Sequence, residues 1–191
     1  MRTSPPDTPT RITLHAALTY AELGWPVLPG AIWHNGHFAD PEDEAPVTDP
    51  CLQPSGKATT DVARVREWWS KPGLHQPNIL TVTGPRLGAF MVSENLVMAL
   101  ADDARFAAVP TPVVAFPNMP IAYFLVRPPL PSLLLGDEAR VVAEGMPMPL
   151  PPSALGDTAA IWLVTPEEAG NVLLTGDELV ELIESAERRT A

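Results

Sequence analysis

From Arg11 onward, apolar residues recur at helical spacing. Leu14, Ala17, Leu18 and Ala21 in RITLHAALTYAELG lie three and four residues apart, as one face of an α-helix requires. Thr10 stands before this stripe as an N-cap candidate, and Gly24 stands where a helix C-terminus favours a residue free to turn left-handed. WPVLPG then reads as a short strand. TTDVARVREWW caps and starts a second helix, with Val62, Val65 and Trp69 on one face. NILTVTG and GAFMVS are strand-like apolar runs on either side of the turn signal PRLG. ENLVMALADDARF reads as a helix capped by Ser93, with Glu94 and Asn95 in its first turn, where negative charge suits the helix dipole. TPVVAFP, IAYFLV, ARVVAEG and AAIWLVTP are short strands between breaks. TGDELVELIESAERR closes the chain with a capping box, Thr175 to Glu178, and an apolar stripe of Leu179, Leu182, Ile183 and Ala186.

Two stretches lack any period. MRTSPPDTPT reads as a disordered leader over residues 1–10; it has no apolar core of the kind a secretory signal carries. From Ala31 to Ala58 the chain holds turn residues and acids, which predicts a long surface loop over 31–58. The remaining order of helices and short strands predicts an α/β (α+β) fold: a single domain over 11–191 with a mixed central β-sheet flanked by helices. A C-terminal helix over 175–189 is expected on the sheet's edge. The 24 prolines, clustered in PNMP, RPPLP and MPMPLPPS, argue against long helices in the second half, since each removes a backbone donor.

Composition narrows the function classes. A hydrophobic fraction of 46% in 191 residues is enough for one substantial core. Twelve Lys and Arg against 23 Asp and Glu give a net charge of −11. Nucleic-acid binding draws its free energy from neutralising phosphates, so this balance disfavours a nucleic-acid partner, and the cations form no stripe. The lone Cys51 excludes an internal disulfide and fits a reducing compartment. No apolar run approaches the ~18 residues of a membrane span. The expected setting is cytoplasmic and away from membranes.

Several segments, in order, resemble the N-terminal domain of the bifunctional DNA primase/polymerases, the prim-pol type of the archaeo-eukaryotic primase superfamily found in plasmids, phages and actinobacterial genomes. They are ALTYAELGWPVLPG, ATTDVARVREWW at Ala58 to Trp69, PNILTVTG and LPPS at Leu150 to Ser153. Together they span roughly residues 12 to 165. The resemblance implies a primase-polymerase-like fold. It also implies a chemistry in which an Asp-x-Asp pair at a strand end, with a third acid, holds two divalent cations against a triphosphate.

This chain departs from that pattern at each catalytic element. GAFMVSEN places Ser93 and Asn95 where the two aspartates are expected, with Glu94 between them on the other side of a continuing strand. Ile121, in MPIAYF, takes the place of a histidine that contacts phosphate. Counting back from PPS puts Arg140 at the third acid, with Glu144 in the nearby turn. Neutral hydroxyl and amide ligands cannot offset the charge of two hard cations. No catalytic residue and no cofactor is therefore expected. The expected function is an inactive primase/polymerase-like domain that binds or scaffolds protein partners.

Two alternatives remain open. One is a magnesium- or manganese-dependent nucleotidyltransferase using Glu94, Asp102, Asp103 or Glu144. The other is a nucleotide sensor without turnover, for which Lys57, Arg64, Arg66, Arg86, Arg127 and Arg140 are the candidate phosphate contacts; ordinary surface ion pairs are the competing reading. His34, His37 and Cys51, with Asp40 nearby, are weak zinc candidates whose spacing matches no standard finger. Trp68 and Trp69 could stack on bases, but at least one continues the buried face of Val62 and Val65. No hydrolase motif is present.

Overall fold

The computed structural model describes residues 9–131 and 137–190, and its contacts divide the chain into two compact units. The first runs through Thr81 and takes back Pro147–Ala159; the second holds Val82–Met146 and the chain from Ala160 onward.

In the first unit, helix α1 (Pro9–Glu22) buries Ala17, Tyr20 and Ala21. Thr10 lies inside this helix rather than at its N-cap. At the other end Gly24, at φ +84°, donates to the Ala21 carbonyl while Trp25 N–H reaches Tyr20, the paired bonds of a Schellman cap. Of the proposed leader, residues 1–8 lie outside the described residues.

Strand β1 (Val27–Gly30) then pairs antiparallel with β4 (Asn78–Val82), and β9 (Pro147–Leu150) joins β4 in the same three-stranded sheet. A side chain at Gly30 would meet Leu80 Cγ at 2.7 Å, so that position must be bare. Helix α2 (Val62–Trp69) packs on α1 and β1; Asp61 caps it by accepting from Ala63 and Arg64 N–H at 2.8 and 3.3 Å. Both tryptophans are core: Trp69 is fully buried and donates to the Pro77 carbonyl at 3.1 Å, and Trp68 is nearly so.

The segment 31–58 is more ordered than a surface loop. It contains a hairpin, β2 (Ile32–His34) with β3 (His37–Ala39), and a 3-10 turn at Ser55–Lys57. The cause is the Asn35-Gly36 pair. Both residues hold positive φ, 48° and 84°, as a two-residue hairpin turn matching the strand twist requires. Ala31, Ile32 and Ala39 are buried as a result.

LPPS is a structural clasp in this unit. Ser153 Oγ accepts from Ile79 N–H at 2.7 Å and donates to the Ile79 carbonyl at 3.0 Å, while Tyr20 OH donates to the Pro151 carbonyl. Asn78 donates to the Ala31 and Ala154 carbonyls and accepts from Ala154 N–H, so its buried amide is satisfied. A short hairpin, β10 (Ala154–Leu155) with β11 (Thr158–Ala159), follows.

The second unit is built on β5 (Gly88–Ser93), β6 (Val113–Ala115), β7 (Ile121–Val126), β8 (Ala139–Val141) and β12 (Ile161–Val164), ordered β12-β6-β7-β5-β8. All four pairings are antiparallel, so this sheet is not mixed and the architecture is α+β. NILTVTG and GAFMVS, neighbours in sequence, belong to different sheets. One sheet face carries Phe90, Val92, Ala122, Phe124, Val126 and Ala139, alternate positions that all join one core. Helices α3 (Glu94–Ala101) and α5 (Gly176–Thr190) cover that face through Leu96, Leu100, Leu179 and Ile183. The C-terminal helix therefore lies on a face rather than an edge, because its stripe is too wide and apolar to leave half in water.

The helix expected from Glu94 through Phe106 is broken in two. Asp102 closes the first part and Asp103 caps α4 (Ala104–Ala108), its carboxylate accepting from Arg105 N–H at 2.9 Å. The Thr175 capping box forms: Thr175 N–H reaches Glu178 Oε2 at 2.7 Å and Glu178 N–H reaches Thr175 Oγ1 at 3.2 Å. No helix among the described residues is long and apolar enough to cross a membrane.

Candidate functional site

The C-terminal end of β5 is where a strand hands over to a helix. Ser93 is its last residue and the N-cap of α3, its Oγ accepting from Leu96 N–H. Glu94 already belongs to the helix and donates its N–H to the Pro120 carbonyl. The strand thus stops before Asn95, which sits in the first turn of α3. A period-two pairing of Ser93 with Asn95 does not occur, because a capping serine starts a helix where the strand reading needed two more extended residues.

Register decides what surrounds Ser93. Across β7 its partner is Ile121, and Met91 faces Tyr123. Across β8, Val92 faces Ala139 and Met91 faces Arg140. The residue level with Ser93 on that side is Glu138, which accepts Ser93 N–H at its carbonyl at 2.8 Å and receives the Ser93 hydroxyl at Oε2. Directly opposed residues share a sheet face. Met91, Ser93, Ile121, Tyr123 and Arg140 therefore lie on the face away from the core, with Glu138 joined to Ser93 at its end. Burial raises the Tyr123 pKa, so its phenol stays neutral.

Three of the four positions singled out from sequence, Ser93, Ile121 and Arg140, share this face; Asn95 sits two residues past Ser93 in the first turn of α3 rather than on the strand. Glu138 was not singled out. Its signal was present as an acid two residues before Arg140, but only strand register sets it beside Ser93. Of the acids named as alternatives, Glu94 follows Ser93 in the first turn of α3 and the other three lie further along the chain. Asp103 is buried and bonded to Arg105 and Arg189, each at 3.0 Å, and Asp102 closes α3. Glu144 lies against Gly84, in a groove lined also by Pro128, Leu130 and Val142.

A profile of the bifunctional DNA primase/polymerase N-terminal domain matches residues 17–176. The chain belongs to that family. No curated protein and no solved structure gives a significant match. The profile spans both compact units of this primase/polymerase-family chain, so the family relation covers the hairpin and α2 as well as the β5–β8 sheet.

Paired divalent cations are what the family resemblance implies at the β5 exit. The sheet itself offers one carboxylate, Glu138, and one hydroxyl, Ser93, with the Arg140 guanidinium two residues along the strand, and Glu94 follows Ser93 at the start of α3. Magnesium and manganese pairs need several converging anionic oxygens, and among the described residues no three His, Cys, Asp or Glu side chains close on one another here, so this set does not fit them. Among the described residues, the group of three His, Cys, Asp or Glu side chains close enough to share an ion lies elsewhere: His34, Glu44 and His75.

The candidate phosphate contacts of this primase/polymerase-family chain belong to both units. Lys57, Arg64 and Arg66 belong to the first unit, where Arg64 stacks over the Trp68 ring at 5.4 Å. In the second, Arg86 lies in the β4–β5 turn. Arg127, which donates its N–H to the Leu174 carbonyl, stands six residues beyond Ile121, about 20 Å at ~3.3 Å per residue. Among the second unit's candidates, Arg140 is the one on the strand paired with β5 beside Ser93. Of the zinc candidates His34 alone enters the three-residue group; the Cys51 thiol is pushed up to about 11 by burial and the neighbouring Asp49, which disfavours the metal-binding thiolate.

Proposed function

We propose that this primase/polymerase-family domain is catalytically inactive and serves as a binding or scaffold module for a protein partner. The observation that carries the reading is the face around Ser93, where the acid that the sheet sets beside Ser93 is Glu138 and Arg140 follows it. An arginine there adds positive charge where a cation pair needs negative charge. The net charge of −11 supports a protein partner over a polyanion. So does β12, an edge strand of its sheet, which exposes Ile161 and Leu163 where a partner could bury them. A cytoplasmic setting belongs to the same proposal, supported by the count of one cysteine, which leaves no internal disulfide.

Primer extension on a template with magnesium or manganese tests it directly. The expected result is no incorporation above a no-protein blank. Metal-dependent extension that disappears in Glu138→Gln would overturn the reading in favour of a polymerase. Thermal melts with nucleoside triphosphates separate the sensor alternative, since a ligand bound only by the folded state raises its midpoint. A saturable rise lost in Arg140→Ala would favour sensing over scaffolding.

A further inference from the structure

Three side chains distant in sequence meet on the first unit. His34 ends β2, Glu44 follows β3, and His75 lies between α2 and β4. Glu44 bridges the two imidazoles: Oε1 stands 2.7 Å from His75 Nε2 and Oε2 stands 3.5 Å from His34 Nε2. The rings are 5.7 Å apart, and one ligand atom from each residue lies within 4.8 Å of the others. A tetrahedral zinc ion with bonds near 2.0–2.1 Å sets its ligand atoms about 3.3 Å apart, so movements of an ångström or so would close this group on an ion.

The backbone holds the group in place without an ion. His75 N–H bonds to the Pro41 carbonyl at 3.0 Å, fixing the loop before β4 against the segment that carries Glu44. Glu44 has φ +62°, unusual for a residue with a side chain, and its N–H is tied to the Asp40 carbonyl at 2.8 Å. His34 and His75 also line an open depression with Gln76, whose buried Oε1 has no hydrogen-bond partner among the described residues. Asn35 Nδ2 stands 2.7 Å from His34 Nε2 and would have to move as an ion enters.

We propose that His34, Glu44 and His75 form a binding site for a divalent transition metal of the zinc class, with water in the remaining position. Two imidazoles and one carboxylate match zinc better than magnesium or calcium, which prefer all-oxygen sets. The site clamps the β2–β3 hairpin to the loop before β4 within the first unit.

The test is zinc titration of the full chain after chelator treatment, by calorimetry and by competition with a chromogenic chelator, with cobalt absorption as a geometric readout. One ion per chain is expected, with a rise in melting temperature. His34→Ala, Glu44→Gln and His75→Ala should each weaken binding roughly tenfold or more, since losing a ligand costs at least as much as losing an outer-shell partner. His37→Ala and Cys51→Ser should bind as the parent does. Glu44→Gln keeps size and fold, so its loss of affinity cannot be assigned to unfolding. No binding, or binding lost in Cys51→Ser or His37→Ala but kept in Glu44→Gln, would overturn the assignment.

Discussion

Ser93 and Glu138 are joined twice across the edge of the five-stranded sheet, by the Ser93 N–H to the Glu138 carbonyl and by the Ser93 hydroxyl to the Glu138 carboxylate. The same hydroxyl caps α3 by accepting from Leu96 N–H. Ser93→Ala removes both roles and should cost about 1 kcal/mol, the usual loss for an N-cap. Ser93→Asp keeps the cap but sets a second carboxylate against Glu138; directly opposed like charges should cost roughly 0.2–1 kcal/mol. Urea unfolding of both variants checks this, and a neutral Ser93→Ala would mean the cap carries no stability.

Ser153 is buried in the LPPS segment and satisfies both main-chain groups of Ile79, itself fully buried. Ser153→Ala leaves a buried N–H and carbonyl without that partner. The expected loss is about 1–3 kcal/mol. Denaturant midpoints measure it; a change within error would show that water replaces the hydroxyl.

Trp69 fills the core beneath α1 and α2 and shares an edge contact with Trp68 at 6.3 Å. Trp69→Ala should cost about 3–5 kcal/mol, as large-to-small core changes do. Its fluorescence should shift to the red on unfolding in the parent. An already red-shifted, quenchable Trp69 in a protein whose other four tryptophans are replaced by phenylalanine would contradict its burial.

Asp103 is buried at the α3–α4 junction and depressed well below the ordinary carboxylate range, chiefly by the Arg105 side chain, then by Arg105 N–H and Arg189. A carboxylate with a lowered folded pKa stabilises fully above its unfolded value, near ~3.9, and that contribution is lost as pH falls further toward the folded one. The parent should therefore melt higher than Asp103→Asn at neutral pH, with the gap narrowing between about pH 5 and about pH 2. Melting curves across that range decide it. A constant gap would place the effect in packing rather than in charge.

The local elements were readable from the chain because their causes are local. α2 and α5 follow from stripes three and four residues apart; the Gly24 and Thr175 caps follow from residues within a turn of the helix end. Even the Asn35-Gly36 hairpin had a two-residue signal, obscured by the acids and prolines around it. The broken helix at Asp103 was harder, since an aspartate can sit within a helix or start one, and here two arginines from different helices fix its choice.

The sequence by itself determined the helices, most strands and the family resemblance. Only the tertiary structure decided that Glu138 faces Ser93 and that His75 meets Glu44, 31 residues earlier. Strand register and loop packing are set by hydrogen bonds between distant segments, and a slip of one residue in register would turn every side chain to the other face.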